Sequence, residues 1–366
     1  MFTFGIEHEI AFLDHMGQFA DFRSLDFNDL AALIESLPLY HGDYPRLRVG
    51  RTGIRRKRWY IEGFDRHDEQ GNVNGFLPKG TEIRTTPCAS IKEAIEELSA
   101  SFESLRVVAT EAGFTPVLTS FHPYRSEVEP LVPFNAYERA TLQRSAGERA
   151  ALLALLTFGP DLNIAYQGLS EEAALDVGMK FMYYSPYILP FSYSSPFWCG
   201  EPWNGFSVRT AQRTGRRAIV NVFLSPDSRL RERFPGIIKS ARIPGEVGRI
   251  EFKACDSCDQ FSLYAGLLAL LKGLLIDTTL PGRALEPDIA LHQHSARFGL
   301  DNATIAAGSR LVVDAAQRAL DTDADALYLA PLLAMLHHYE PPARRLLASF
   351  SANGSIEAAL RQTYQR

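Results

Sequence analysis

The chain has 366 residues, 46% of them hydrophobic and 22% charged, with a formal net charge of -5 and a pI near 6.0. This is ordinary globular composition, and its charge balance argues against nucleic acid or an anionic membrane as a partner. Four cysteines are too few for a disulfide scaffold at this length. The opening residues MFTFGIEHEI alternate, with Phe2, Phe4, Ile6, His8 and Ile10 on one face and Glu7 and Glu9 on the other, so a strand is expected at once. They lack a basic region followed by an apolar core, so no secretory leader is expected and the setting reads as cytoplasmic. A short helix is predicted over DFNDLAALIESL. The basic stretch RLRVGRTGIRRKR then runs into WYIEGFDRHDEQGN, a strand and polar turn.

KGTEIRTTP predicts another strand, stopped at Pro87. Ser90 caps a long helix, with Glu93 completing a capping box and Gly113 near its end. TFGPDLNIAYQ is a strand, and a helix follows Ser170. SYSSPFWCG and EPWNGFSVRTAQRTGRR are loop-like, rich in aromatic residues and arginine. In GRIEFKACDS, a strand puts Arg249, Glu251 and Lys253 on one face and Ile250, Phe252 and Ala254 on the other. Beyond it the chain is mostly helical. LYAGLLALLKGLLI is short for a membrane span and carries Lys272, so it reads as a buried helix. No repeat, low-complexity tract or linker divides the chain, so a single domain over residues 1–366 is expected, helical from about 260. Its strands do not alternate regularly with helices. The predicted class is α+β, a mainly antiparallel curved sheet with helices packed on one side.

Carboxylates recur on these strands. Glu7 and Glu9 repel each other on one face, so a buried pair needs cations beside it, and oxygen ligands of this kind suit Mg²⁺. The same pair also fits a solvated strand face. Glu82, Glu251, and the face-sharing Asp161 and Asn163 add further oxygen donors. Arg249 and Lys253 suit a phosphate held beside metal ions, since a guanidinium fork grips phosphate oxygens and cations offset charge during phosphoryl transfer. A cross-strand salt-bridge ladder is the competing account. Arg209 could clamp a carboxylate or phosphate. Arg213, Arg216 and Arg217 could do the same, but they, like Arg55, Arg56, Lys57 and Arg58, read rather as solvated loop charges. Phosphate-loop, dinucleotide-binding and nucleophile-elbow motifs are absent. Cys255 and Cys258 could join His292 and His294 around zinc, although buried spectator cysteines explain the spacing as well. His337 and His338 read as a polar helix edge.

Taken in order, these segments resemble the type 2 glutamate–cysteine ligase family, carboxylate–amine ligases on the glutamine synthetase catalytic fold. Gly5-Ile6-Glu7-His8-Glu9 matches a Gly-x-Glu-x-Glu strand, and Glu82-Ile83-Arg84-Thr85 a Glu-x-x-Thr strand before a long helix. DLNIAYQGLSEEAA and SYSSPFWCG fit a strand, helix and Ser-Ser-Pro-Phe loop. Gly205-Phe206-Ser207-Val208-Arg209 is similar to a Gly-x-x-Ser-x-Arg segment, and RIEFKACD to Arg-x-Glu-x-Arg-x-x-Asp before a Leu- and Ala-rich helix. The match runs to about residue 300.

The resemblance implies a ligase that uses ATP as co-substrate and two or three Mg²⁺ ions to phosphorylate a glutamate γ-carboxylate, which an amine then attacks. Cysteine is the first candidate amine, and glutathione biosynthesis the implied setting. It implies Glu7, Glu9, Glu82, Asp161 and Glu251 as metal ligands, and Arg249, Glu251 and Lys253 as the catalytic group. Asn163, Arg249 and Lys253 would meet ATP, and Thr85 and Arg209 the amino-acid substrate. No nucleic acid or membrane partner follows, and a homo-oligomer stays open. Two positions depart from the pattern. Asp161 stands where His is usual and cannot donate a hydrogen bond when ionised. Lys253 stands where Arg is usual and makes no bidentate fork. Both redirect attention to the substrate, so another amine or a catalytically silent nucleotide- or amino-acid-binding relative are the alternatives to weigh.

Overall fold

The structure, a computed structural model, describes residues 1–41 and 57–364. Arg55 and Arg56, with most of the basic stretch before Lys57, lie outside the described residues. The strands are β1 (Phe2–Leu13), β2 (Phe19–Ala20), β3 (Trp59–His67), β4 (Val73–Arg84), β5 (Thr115–Val117), β6 (Pro160–Tyr166), β7 (Phe197–Trp198), β8 (Glu201–Pro202), β9 (Val220–Leu224), β10 (Ile238–Ser240) and β11 (Arg249–Phe252). The helices are α1 (Phe27–Ser36), α2 (Ile91–Glu111), α3 (Ala136–Arg144), α4 (Ala146–Ala151), α5 (Glu171–Ile188), α6 (Val208–Arg213) and α7 (Leu230–Arg233). After β11 come α8 (Phe261–Ile276), α9 (Ile289–Phe298), α10 (Ala303–Ala319), α11 (Ala330–His337), α12 (Pro342–Asn353) and α13 (Ile356–Arg361).

Alternation in β1 decides the layering. Phe4, Ile6, His8 and Ile10 are buried, while Glu7 and Glu9 face the other way. Each of the three apolar members contributes on the order of 1.5–3 kcal/mol by leaving water. His8 is a satisfied core residue: its Nδ1 and Nε2 each lie 2.9 Å from a tyrosine hydroxyl, Tyr264 and Tyr364, and burial pushes its pKa down to about 3. The buried ring is therefore neutral, consistent with its apolar surroundings.

Nine of the described strands form one sheet, in the order β10-β9-β11-β6-β1-β4-β3, with β2 and β5 paired to the far half of β1. Seven of the pairings in this sheet follow the predicted antiparallel scheme, but β9 and β10 run parallel, so the sheet is mixed. The short β9 and β10 fall in a stretch that the sequence pattern leaves unassigned. The apolar face of the sheet is backed by α2, α5 and α8. Helix α8 is buried almost all round, and Lys272 near its end is neutralised by Asp323 and Asp325, each 2.6 Å away. Gly273 lets α10 cross it closely, since a Cβ there would come within 2.5 Å of the Ala316 Cβ. No helix among the described residues is long and apolar enough to cross a membrane.

The predicted helix caps are met with one shift. Ser90 accepts the Glu93 N–H at 3.2 Å, but Glu93 accepts from the Ala89 N–H rather than the Ser90 N–H, so the reciprocal box is offset by a residue. The segment expected to be a loop after Ser195 contains α6, capped by Ser207, which accepts from the Thr210 N–H.

Candidate active site

The polar face of the sheet forms the floor of a cavity of about 890 Å³. Register brings the strand-borne acids together in two groups. Glu7 lies opposite Asp161 on β6, and one step along the sheet Asn163 lies opposite Glu251 on β11, which lies opposite Asn221 on β9. On the other side Glu9 pairs with Glu82 on β4, and Glu82 with Tyr60 on β3. Carboxylate oxygens of Glu7, Asp161 and Glu251 fall within 4.8 Å of one another, and so do those of Glu9, Glu62 and Glu82. A cluster of three carboxylates in a partly buried setting is costly unless cations or protons compensate it.

Among the described residues the Glu9–Glu62–Glu82 group has one fixed cation. Lys79, itself buried, donates to Glu9 Oε1 at 2.7 Å and to the carbonyls of Ala154 and Thr157 at 2.9 and 2.7 Å. The other Glu9 oxygen accepts the Gly159 N–H at 2.8 Å. Glu82 Oε1 is buried with no partner. Burial, and then the charges of Glu62, Glu7 and Glu9, hold the Glu82 carboxyl well above the usual carboxylate range, and burial likewise raises Glu62. An orphaned buried oxygen among three hard oxygen donors fits a divalent ion such as Mg²⁺.

Around Glu7, Asp161 and Glu251 the cations are supplied by the strand itself. Lys253 pairs with Asp161 and lies 3.4 Å from Glu251 Oε2. Burial opposes its charge, but Asp161, Glu251 and Glu7 outweigh that and raise its pKa. Arg249 stands 3.6 Å from Glu7 and 3.8 Å from Glu251, donates to Asn163 Oδ1 at 3.2 Å, and stacks 4.0 Å over the Phe223 ring. Asn221 donates to Glu251 Oε2 at 2.7 Å.

The third wall is built through Asp256, fully buried, whose carboxylate accepts from the Ser194 N–H and the hydroxyls of Ser195 and Ser207. That network anchors α6 and delivers two arginines. The Arg209 guanidinium donates to the carbonyls of Ala254, Cys255 and Lys253 at 2.7, 2.7 and 3.0 Å, against Gly159, where a Cβ would sit 2.2 Å from it. One turn later Arg213 lines the same cavity. It is only 6% exposed, and its guanidinium has no hydrogen-bond or ion-pair partner among the described residues. Burial, then the charge of Arg209, lowers its pKa to about 9.

The glutamate–cysteine ligase family 2 (GCS2) profile matches residues 3–215, which carry both carboxylate groups apart from Glu251. The chain belongs to this family. A relative named "Putative glutamate–cysteine ligase 2" from Roseiflexus castenholzii is 25% identical over 265 residues, covering 64% of this chain and 66% of that protein. The chain thus spans just under two thirds of the length of that curated relative. Among solved structures, a bifunctional glutathione synthetase from Pasteurella multocida superposes with a TM-score of 0.63 at 13% identity, covering all of this chain and 52% of that one. A glutamate–cysteine ligase from Francisella tularensis in complex with AMP gives 0.56 at 12% identity, covering all of this chain and 88% of that one. At those identities the likeness speaks for the glutamine synthetase-like fold alone.

Measured on this family member, the sequence-predicted Glu7, Glu9, Glu82, Asp161, Asn163, Arg249, Glu251 and Lys253 all line the one cavity. Thr85 also lines it, but its hydroxyl accepts the Ile6 N–H at 2.9 Å and so ties down the end of β4. Arg209 spends its fork on main-chain carbonyls, holding the end of β11 rather than reaching into open space. Arg213 is corrected from a solvated loop charge to a buried cavity cation, because α6 forms where a loop was expected. Two residues were overlooked. Glu62 shares the alternation of β3 with Tyr60, opposite the core residues Trp59 and Ile61, which is the signal that could have found it. Lys79 is the unpaired residue of a register shift between β3 and β4, which no alternation rule anticipates. The zinc alternative finds no support, and Cys255 and Cys258 are buried free thiols, as the spectator reading expects. Cys255, Cys258, His292 and His294 form no metal-ligating group among the described residues, and the His292 ring is occupied by Ser185 Oγ and the Asp288 carbonyl. His337 and His338 are exposed at the end of α11, as expected.

Proposed function

We propose that the chain, as one catalytic unit with its helical part from about residue 260 joined to the sheet through α8, is an ATP- and Mg²⁺-dependent ligase. It would join the γ-carboxylate of glutamate to an amine, with cysteine the first candidate, in the cytoplasm. The observation that carries this reading is the meeting of two carboxylate groups with Arg249, Lys253 and Arg213 around one cavity of about 890 Å³. Hard anionic ligands on one side and fixed cations on the other suit a polyphosphate and a carboxylic acid brought together despite their like charges.

Glu9, Glu62 and Glu82 are the residues that would hold Mg²⁺, which when bound neutralises phosphate charge. Arg249, oriented by Phe223 and Glu246, would face the ATP phosphates, with Lys253 and Asn163 beside it. Arg213, the unpaired buried guanidinium, suits the carboxylate of the acid substrate better than Arg209 does. Arg209 would keep the end of β11 in place.

In the first step a γ-carboxylate oxygen attacks the γ-phosphorus of ATP, the bond to the β-bridging oxygen breaks, and ADP leaves with an acyl phosphate formed. In the second step the amine nitrogen attacks the acyl carbon, the C–N bond forms, the C–O bond to phosphate breaks, and the nitrogen loses a proton. Excluding water protects the intermediate between the two steps. Glu251→Gln should leave the chain folded and abolish glutamate-dependent phosphate release, because Glu251 anchors both Arg249 and Lys253. Near-normal release in that variant, with an unchanged circular dichroism spectrum, would overturn the site.

A further inference from the structure

The two carboxylate groups differ in how they are compensated. Around Glu7, Asp161 and Glu251 every carboxylate has a cation fixed beside it. Lys253 pairs with Asp161 and stands 3.4 Å from Glu251, and Arg249 stands 3.6 Å from Glu7. The Lys253 ammonium therefore stands against two of the three carboxylates that an ion would need. It is held there by geometry, because Lys253 continues β11 and its own N–H donates to the Ile219 carbonyl at 2.8 Å. A divalent ion entering this group would have to displace a resident positive charge and then sit beside it.

Around Glu9, Glu62 and Glu82 the balance is different. Lys79 is the one cation in contact with this group among the described residues. Its three donors are spent on Glu9 and on two carbonyls, so none is left to turn toward the other acids. Among the described residues Glu62 accepts only the N–H of its neighbour Gly63 at 3.2 Å. Glu82, 4% exposed, points an oxygen with no partner at all into the group.

We infer that Lys253 is the built-in cation of the Glu7–Asp161–Glu251 group, so that the protein without nucleotide binds a single divalent ion, at Glu9, Glu62 and Glu82. The assignment rests on the ligase reading above and narrows it, because a site of this kind would otherwise be expected to take two or three ions. It also gives Lys253 a second part. An ammonium held on a carboxylate floor presents one fixed positive charge to an incoming phosphate oxygen, wherever the nucleotide lies along the cavity.

The test is a Mn²⁺ titration of the purified full chain without nucleotide, with free Mn²⁺ read by its electron paramagnetic resonance signal. The wild type is expected to bind one Mn²⁺ per chain. Glu82→Gln should lose that site, Lys253→Gln should bind two, and the double variant should bind one at the newly opened group. Circular dichroism and thermal unfolding establish that each variant is folded. Should Lys253→Gln not fold, Lys253→Met distinguishes the same alternatives. It binds two Mn²⁺ if Lys253 is the resident cation, and one if the Glu7–Asp161–Glu251 group holds no ion without it. Two equivalent Mn²⁺ ions in the wild type, or one in a folded Lys253→Gln, would overturn the assignment and leave the ligase reading intact. No bound Mn²⁺ in the wild type at millimolar concentration would overturn both.

Discussion

Replacing Lys79 with Met removes the buried cation beside Glu9 while keeping an unbranched apolar stem of similar length. Lys79 is 2% exposed, and Glu9, its 2.7 Å partner, keeps 17% of its side chain accessible. Breaking a buried ion pair by removing one partner costs about 3–5 kcal/mol, because the remaining charge is left without compensation. The partial exposure of Glu9 favours the lower end, about 3 kcal/mol. The carbonyls of Ala154 and Thr157 lose their donor at the same time, which keeps the cost from falling further. The vacancy also makes the Glu9–Glu62–Glu82 group more negative, so a divalent ion should bind the variant more tightly than the wild type. At saturating ion both proteins are stabilised and the gap narrows by RT ln of the ratio of their dissociation constants, so hundredfold tighter binding to the variant would recover about 2.7 kcal/mol. Urea unfolding of both proteins, with and without saturating Mn²⁺, measures this. The gap between them should be about 3 kcal/mol without the ion and should narrow clearly with it. A gap below about 1 kcal/mol, or one that Mn²⁺ leaves unchanged, would refute the placement of the ion beside Lys79.

Arg213→Leu exchanges an unpaired buried guanidinium for an apolar side chain, so the variant should be at least as stable as the wild type. If Arg213 meets the acid substrate, the loss of a charge-assisted contact of about 1.5–3 kcal/mol should raise KM for that substrate roughly 10- to 100-fold, measured by steady-state phosphate release. Gly159→Ala drives a Cβ to 2.2 Å from the Arg209 guanidinium. The displaced fork should cost about 1–3 kcal/mol in urea unfolding and lower kcat through the end of β11. Asp21 is pressed upward by burial, but hydrogen bonds from His122 and Arg125 lower its pKa from 3.8 to about 2. The folded-state value lies below the unfolded one, so the contribution of about 2 kcal/mol is complete above pH 4 and fades as the pH falls toward 2. Asp21→Asn should lose that amount at pH 7 and converge with the wild type near pH 2 in a pH series of urea midpoints.

Period-two alternation explains most of what was legible beforehand. It separates Glu7 and Glu9 from the core face of β1, and Arg249, Glu251 and Lys253 from Ile250 and Phe252. Their convergence on one cavity follows once the strands pair. The same rule applied to β3 would have yielded Glu62. Lys79 is a different case, because a bulge changes the face it serves and depends on how β3 and β4 register across a hairpin. Arg213 depends on a six-residue helix whose cap, Ser207, is held by the buried Asp256 together with Ser194 and Ser195 from two other segments, a tertiary arrangement with no local signature. The Asp of the RIEFKACD segment, Asp256, does its work there as an anchor and not in the cavity. The two departures from the family pattern, Asp161 and Lys253, face each other across β6 and β11 as an ion pair, so they are best understood as one coupled change.

The central claim is that this cavity couples ATP cleavage to amide formation, and phosphate release tests it most directly. The purified chain would be given ATP, Mg²⁺ and glutamate, with cysteine and a panel of other amines added one at a time. The account predicts release that requires glutamate and rises with one amine, cysteine first, together with a stoichiometric γ-glutamyl amide. No release with any acid and amine, alongside clear nucleotide binding, would contradict it and mark the chain as a binding protein.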